Sequence, residues 1–270
     1  MNNWRKYNGA LIPLTPPHIE VDITDVENNI QKEEAYFARW TSNFDQKDIS
    51  EFWYVICDEK FEISDYSRNT RNQIRRGLRN CEVRIIDKEI VLKDGFESYN
   101  AAFLRYNTHL EVKSEEEFIQ EIECLGKEWE FWGIYYKERM IGYCQNRVID
   151  SYCDYSTIKF HPDYLKLYPS YALFYTMNQY YLNEKNYKYV NDGARSISHE
   201  TNIQYFLIQK FKFRKAYCRL NIIYSPRIKL LLSIVYPMRF LISLLKFSPF
   251  LKINILIVQE EIRRSYEKGK

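Results

Sequence analysis

Between Glu130 and Phe160 the chain runs through three strand-like segments with almost nothing between them, and this run limits the available folds more than any other stretch. EFWGIYY (Glu130–Tyr136), MIGYCQNRVID (Met140–Asp150) and SYCDYSTIKF (Ser151–Phe160) are rich in aromatic and β-branched residues, and only KER separates the first two. Connections this short leave no room for a crossover, so neighbouring strands must pair antiparallel as a meander.

The flanking sequence alternates between helical and extended patterns. FWYVICD (Phe52–Asp58) reads as a strand, and Ser67–Asn80, free of Pro and opened by a Ser that can cap, reads as a helix. CEVRII (Cys81–Ile86) is a second strand. Phe96, Tyr99, Phe103, Tyr106 and Leu110 recur at steps of three and four, the stripe of an amphipathic helix over Phe96–Leu110. Ser114 with Glu117 forms a capping box for a helix over Ser114–Leu125. After the meander, HPDYLKLYP reads as a loop and Ser170 as the cap of a further helix. KYVND (Lys188–Asp192) is a strand ending at Gly193, Thr201–Lys212 a helix, and Lys215–Tyr224 the closing strand. The expected class is α/β: a mixed central sheet flanked by helices, with an N-terminal strand-helix extension and a C-terminal amphipathic helical tail.

Composition agrees with a folded chain of about one full domain plus additions. Apolar residues make up 46% and charged residues 28% of 270 positions, with 24 Tyr and 16 Phe against 8 Gly and 8 Pro, so aromatic packing rather than flexible linkers must fill the interior. The six cysteines are scattered without a C-x-x-C pair or a His at ligand spacing, which argues against a zinc site or disulfide framework; no metal is expected. The first residues lack the apolar core of a secretory signal, and free thiols suit a reducing compartment, so a cytoplasmic protein is expected.

The order of elements over Cys81–Tyr224 resembles the GNAT acyltransferase fold. TNIQYFLIQKFKFRKAYCRL resembles the GNAT stretch in which an Asn opens a helix and a Gly-Phe pair ends it: Asn202 and Phe213 take those places, while Lys212 stands at the Gly and Ile208 where many members carry a Tyr acid. The family's glycine-rich loop for the pyrophosphate of coenzyme A has no match in FHPDYLKLYPSYALFY, where Pro169, Ser170, Tyr171 and Ala172 stand. Fem-type aminoacyltransferases, a GNAT-like branch that uses aminoacyl-tRNA, also lack that loop, and their basic helix before a Gly is similar to SRNTRNQIRRGLRNCEV here. The resemblance implies an N-acyltransferase with acetyl-CoA or another acyl-CoA as co-substrate, acting on an amine of a small or lipid- or sugar-linked molecule. The alternatives it leaves are a tRNA-dependent Fem-type transferase and a non-catalytic binding protein on the same fold. The implied division is an extension over 1–80, a GNAT-like domain over 81–225 and a tail over 226–270.

Amine acylation needs a base for the ammonium proton, donors for the oxyanion and an acid for the leaving group. In a GNAT sheet the cleft opens between the fourth and fifth strands, which directs attention to Asp154, Tyr155 and Ser156 on one and Asp192 at the end of the other. Asp192 is the preferred base; its plain alternative is an Asp-Gly turn with Gly193. Arg195, His199, Glu200 and Asn202 follow, where His199 can shuttle a proton and Arg195 can hold a phosphate or carboxylate, or where a plain loop leads into a capped helix. Tyr217 is a further acid candidate. Ser170, Tyr171 and Ala172 are expected to meet the donor's phosphates at a helix N-terminus. Arg68, Arg71, Arg75 and Arg79 share one helical face with no acid at i+4 to pair them, which reads as a phosphate-binding face or a solvated one.

The net charge of +3 has its basic excess in the tail, where five bases and no acid lie between Arg227 and Val258. The tail's longest uncharged run, Leu230–Met238, is far short of the ~20 residues that span a bilayer. With Arg239, Ser243 and Lys246 on one face, residues 227–258 read as a basic amphipathic segment for the inner face of a membrane, or as an element packed on its own domain.

Overall fold

The computed structural model describes residues 4–105, 111–197, 202–242 and 248–268. The N-terminal quarter holds β1 (Trp4–Tyr7), β2 (Ala10–Pro13), α1 (Val26–Lys32), β3 (Phe37–Gln46) and β4 (Trp53–Cys57). It is followed by α2 (Arg68–Asn80), β5 (Glu82–Ile86), α3 (Lys88–Phe103) and α4 (Glu115–Glu123). The meander is β6 (Trp129–Tyr136), β7 (Arg139–Ile149) and β8 (Tyr152–Phe160). Then come α5 (Pro169–Asn178), β9 (Tyr189–Ala194), α6 (Asn202–Phe211), β10 (Arg214–Tyr224), α7 (Pro226–Val235), α8 (Arg239–Ile242) and α9 (Ser248–Lys268). A mixed sheet flanked by helices and closed by a C-terminal helix is therefore what the sequence pattern led to. The elements group into two compact units: residues 55–193 with 202–214, and residues 1–54 with 194–201 and 215–270.

In the larger unit the strands run in the order β4-β9-β8-β7-β6-β5. The β6–β7–β8 meander is antiparallel throughout, and β5 adds antiparallel to β6. Lys137 and Glu138 turn the first hairpin with φ of 48° and 66°, the paired positive values of a two-residue turn whose twist matches the strands. Against this sheet α3 and α4 bury Val91, Tyr99, Phe118 and Ile122 on Phe131, Tyr135, Met140 and Tyr143. The Ser114–Glu117 capping box forms as expected, with Glu117 N–H donating to Ser114 Oγ at 3.2 Å and Ser114 N–H to Glu117 Oε2 at 2.8 Å. Helix α3 starts at Lys88, eight residues before the stripe read from sequence, because Gly95 just upstream of that stripe does not break the helix, and it ends at Phe103; Tyr106 and Leu110 lie outside the described residues. A polar knot also sits in this core. Trp132 Nε1 and Asn146 Nδ2 donate to the Tyr181 hydroxyl at 2.9 and 3.2 Å, and the hydroxyl donates to Glu130 Oε2 at 2.7 Å. Tyr181 lies in a single π-helical turn, Gln179–Glu184, that continues α5.

Two local expectations are corrected. The stretch after β8 is not a bare loop, since Pro162–Leu167 forms a 3₁₀ helix. Ser170 does not cap α5 either: the cap is Tyr168, held at φ 63°, and Pro169 takes the first helical position, where its fixed φ suits a helix and its missing N–H costs nothing.

The smaller unit carries the strands β1-β2-β3-β10, with β1–β2 and β3–β10 antiparallel and β2–β3 parallel. Trp4, Leu11, Val26, Ile30, Ala35 and Ala38 form one core, and most of this unit before Phe52 carries no strong local pattern in the sequence. The C-terminal helix α9 packs on the same unit. Phe52, Cys218 and Leu220 bury Ile262, with Val258 beside them. Glu260 is buried and accepts from the Tyr224 hydroxyl at 3.0 Å, from Arg263 Nε and Nη2 at 2.9 Å each, and from Arg264 Nε at 2.6 Å. The end of the tail is thus an element of its own unit.

Burial alone would raise the Glu260 pKa, but the hydrogen bonds from Arg263 and Arg264 outweigh it and hold the carboxyl at about 2, against an ordinary 4.5. A carboxyl depressed in this way contributes stability above its unfolded-state pKa and loses it as pH falls through the folded one. Melting temperature should therefore decline between about pH 4.5 and 2 in the native chain. Glu260→Gln should start less stable and show a shallower decline in that window; identical slopes would mean the carboxylate is not what holds the helix.

Candidate functional site

Strands β8 and β9 begin as parallel neighbours and then part. Their pairing covers Tyr152↔Tyr189, Cys153↔Val190 and Asp154↔Asn191, after which β8 continues to Phe160 and β9 through Asp192 without further pairs between them. On its other edge β8 stays bonded to β7, with an irregularity: Gln145 faces Thr157 and Asn146 faces Tyr155, so Ser156 is the extra residue of a bulge and its side chain is exposed.

Two carboxylates stand where the strands separate. Asp154 closes the last pair of β8, and Asp192 follows the last pair of β9. Burial, and then the negative charge of Asp154, push the Asp192 pKa well above its ordinary 3.8. The Asn191 amide organises the surroundings: Nδ2 donates to Asp154 Oδ1 at 3.1 Å and to the Tyr152 hydroxyl at 3.2 Å, while Oδ1 accepts from Gly193 N–H at 2.9 Å. This is an Asx turn made by Asn191, so the turn does not engage the Asp192 carboxyl. Gly193 has φ +94° and no atom within 4 Å of the place a Cβ would occupy, so the backbone here borders open space. Behind the site Cys144 donates to Asn146 Oδ1 at 2.8 Å, and burial, then the charge of Asp192, raise its pKa.

The other residues singled out in the sequence are distributed as follows. Tyr155 lies in the core, with its hydroxyl donating to Asn178 Oδ1 at 2.9 Å and its pKa raised by burial. Ser170 is the second residue of α5, and Tyr171 and Ala172 are buried with their N–H groups already donating to Tyr168 O at 3.1 and 3.2 Å. Helix α2 covers this first turn: a Cβ on Gly77 would sit 2.6 Å from Tyr168 O and 3.0 Å from Ala172 N. Close approach of the two backbones is what requires a glycine there. The face of α2 turned away from α5 carries Arg68, Arg75 and Arg79, all exposed, and Arg71, whose Nη1 donates to Ser64 O at 3.2 Å. Among the described residues Arg68, Arg75 and Arg79 form no ion pair. Asn202 opens α6 with its side chain exposed. In the smaller unit Arg195 Nη1 donates to Glu51 Oε2 at 2.9 Å and its guanidinium lies 4.8 Å from the Trp53 ring centre, while Tyr217 meets the same ring edge-on with centroids 6.3 Å apart. His199 and Glu200 lie outside the described residues.

The structure thus brings Asp154 and Asp192 together, with Ser156 on the same strand. It adds Asn191, which sequence reasoning passed over although the Asn-Asp-Gly order is the signature of an Asx turn. Among the described residues no group of His, Cys, Asp and Glu side chains is arranged to hold a metal ion.

Solved structures of two other proteins superimpose on most of this chain. The C-terminal domain of a putative lysylphosphatidylglycerol synthetase from Agrobacterium fabrum matches with a TM-score of 0.51 at 11% identity, covering 85% of this chain and 82% of that one. FemX matches with a TM-score of 0.52 at 12% identity, covering 80% and 72%. The fold is GNAT-like. An N-acetyltransferase from Thermoplasma acidophilum, solved in complex with coenzyme A, aligns over 40% of this chain and 74% of its own at a TM-score of 0.31 and 16% identity. No family model and no curated protein matches the sequence.

A carboxyl whose folded-state pKa is raised favours folding in its protonated form, so its contribution is complete below about pH 4 and is lost as pH rises through the raised value. Asp192→Asn should therefore melt higher than the native chain at pH 8 and match it more closely near pH 4. Equal melting temperatures at both pH values would show that the Asp192 carboxyl is solvated and uncoupled from Asp154.

Proposed function

We propose that this chain transfers an acyl group onto an amine in the space opened between β8 and β9, with Asp192 as the base. The observation that carries this reading is the carboxylate pair at the fork. A base for an ammonium works best with a pKa near the working pH, and burial beside Asp154 moves Asp192 in that direction. In the reaction, Asp192 takes a proton from the acceptor ammonium and the freed lone pair attacks the donor carbonyl. The oxyanion is met by a backbone N–H at the Ser156 bulge, the carbon–oxygen bond of the donor ester breaks, the departing oxygen recovers the proton from Asp192, and the freed carboxylate takes the second proton from the acylated nitrogen and passes it to solvent.

For the donor, aminoacyl-tRNA is favoured over a coenzyme A thioester. A pyrophosphate needs free N–H groups at a helix start. At α5 the first residue is a proline, Tyr171 and Ala172 give their N–H groups to Tyr168, and α2 lies against the turn. The exposed arginines of α2 supply instead a row of cations suited to the phosphates of an RNA stem. Asp192→Asn should lower transfer from aminoacyl-tRNA by about 10²–10⁴-fold. Arg75→Gln with Arg79→Gln should weaken tRNA binding and reduce its salt slope by about 1 for each arginine that pairs with a phosphate, with little change in melting temperature. Full activity in the Asp192 variant would remove the base assignment. Turnover with acetyl-CoA and none with aminoacyl-tRNA would reassign the donor, and binding of neither would leave a non-catalytic protein on this fold.

The acceptor is an amine of a small or lipid- or sugar-linked molecule, and α7 and α8 support a lipid surface as its source. Leu230, Ile234, Met238, Phe240 and Leu241 are exposed there, Phe240 at 82%, beside exposed Arg227 and Lys229. No helix among the described residues is long and apolar enough to cross a membrane, so this segment would lie in the headgroup region of an inner leaflet, each cation adding about 1 kcal/mol near anionic lipid. The native chain should co-sediment with anionic vesicles and much less with neutral ones, and Phe240→Glu with Leu241→Glu should abolish it. Equal recovery of both proteins with anionic vesicles would exclude α7 and α8 as the contact.

A further inference from the structure

Within the smaller unit a cavity of about 150 Å³ is walled by Ile12 and Pro13 of β2, by Pro16 of the β2–α1 connection, by Phe52 just before β4, and by Tyr54 and Leu220 from the strands. Arg39, Thr15, Thr41 and Tyr54 add polar groups to this lining. Arg39 is half-buried on β3 and forms no ion pair among the described residues; its one hydrogen bond there is from Nη1 to Gln259 Oε1 at 3.2 Å. The Thr15 hydroxyl is buried with no hydrogen-bond partner. A half-buried cation without a counter-charge and a buried hydroxyl without a hydrogen-bond partner are each unfavourable to folding by themselves, and each is relieved by an anion bound in the cavity they line.

We propose that this cavity binds a small carboxylate with an aromatic or compact apolar body, the carboxylate accepting from the Arg39 guanidinium and the Thr15 hydroxyl. Three features select that class. The volume equals that of a protein cavity known to admit benzene, so a body of about six carbons fits. Trp40, Phe52 and Tyr54 line the chamber and offer ring edges and faces to a flat ligand. A single guanidinium neutralises a monoanion in paired geometry, whereas a phosphate dianion would leave one charge uncompensated in an apolar wall. The lowering of the Arg39 pKa by desolvation fits a cation whose counter-charge is not supplied by the chain. No residue of this cavity belongs to the carboxylate fork, so the assignment stands apart from the transferase reading.

Benzoate is the probe, measured by titration calorimetry and by the shift in melting temperature of the full chain. Saturable binding is expected in the native protein, with a rise in melting temperature that follows benzoate concentration. Benzamide, equal in shape but uncharged, and phenyl phosphate, a dianion, should each bind at least about tenfold more weakly. Arg39→Met keeps the apolar stem and removes the lone charge, so it should fold at least as stably as the native chain and lose benzoate binding by about tenfold or more. Leu220→Trp leaves Arg39 in place and fills the chamber, and it should lose binding too. The proposal is overturned if native protein shows no saturable binding at about 10 mM benzoate. It is equally overturned if benzamide binds as well as benzoate, or if Arg39→Met or Leu220→Trp binds benzoate as the native chain does. Tighter binding of phenyl phosphate than of benzoate would overturn the carboxylate class and leave a phosphate site.

Discussion

The parting of β8 from β9 after three residue pairs is the constraint on which the candidate site depends. A parallel ladder that continued would bury the edge of β8 and leave no room for a substrate. Ending it at Asp154↔Asn191 leaves backbone and side chains of both strands available at the fork, and it sets two carboxylates beside each other at the point of separation. The extra residue at Ser156 belongs to the same solution, because a bulge bends and twists the strand that carries it. The polar knot around Tyr181 and the aromatic packing of Phe174, Phe211 and Tyr155 hold α5 behind the fork. Asp192 therefore owes its raised pKa to a tertiary arrangement, the meeting of two strand ends, and not to its neighbours in sequence.

The first turn of α5 shows how one local geometry redirects a functional reading. A helix N-terminus is an anion site only while its N–H groups are free and approachable. Here Tyr168 in the left-handed region folds its own carbonyl over the start of the helix, Pro169 contributes no donor, and Gly77 lets α2 close on the turn. The same packing that shuts the helix start orients α2 so that its arginines face solvent. The closing of one phosphate site and the exposure of another are consequences of a single packing choice.

Much of the fold was legible because it rests on local rules. The meander followed from three strand-like runs with short connections, the α4 capping box from Ser114 and Glu117, and the basic face of α2 from arginines at helical spacing. What escaped reading was settled by contacts distant in sequence. The β1, β2 and β3 strands of the smaller unit are short or partly polar, with a parallel β2–β3 pairing that no local pattern announces. The tail read equally as a membrane-surface segment or as an element packed on its own domain, and only the contacts show that α9 is packed, held by Glu260, whose partners include Tyr224 on a strand 36 residues earlier. Arg39 gave no signal in sequence, since a lone arginine in a strand reads as a solvated edge until it is seen half-buried, lining a cavity with residues of the β2–α1 connection.

The sequence by itself determined the α/β class, the order of elements over the second half of the chain, and the residue types available at the fork, because periodicity, capping and turn chemistry act over a few residues. Only the tertiary structure decided that Asn191 and not Asp192 makes the turn, that Tyr155 faces the core, that Arg195 is engaged by Glu51 and Trp53, and that the start of α5 is closed. Each of these is a question of which groups meet across the fold, and burial and pairing energies are set by that meeting rather than by the chain's local preferences.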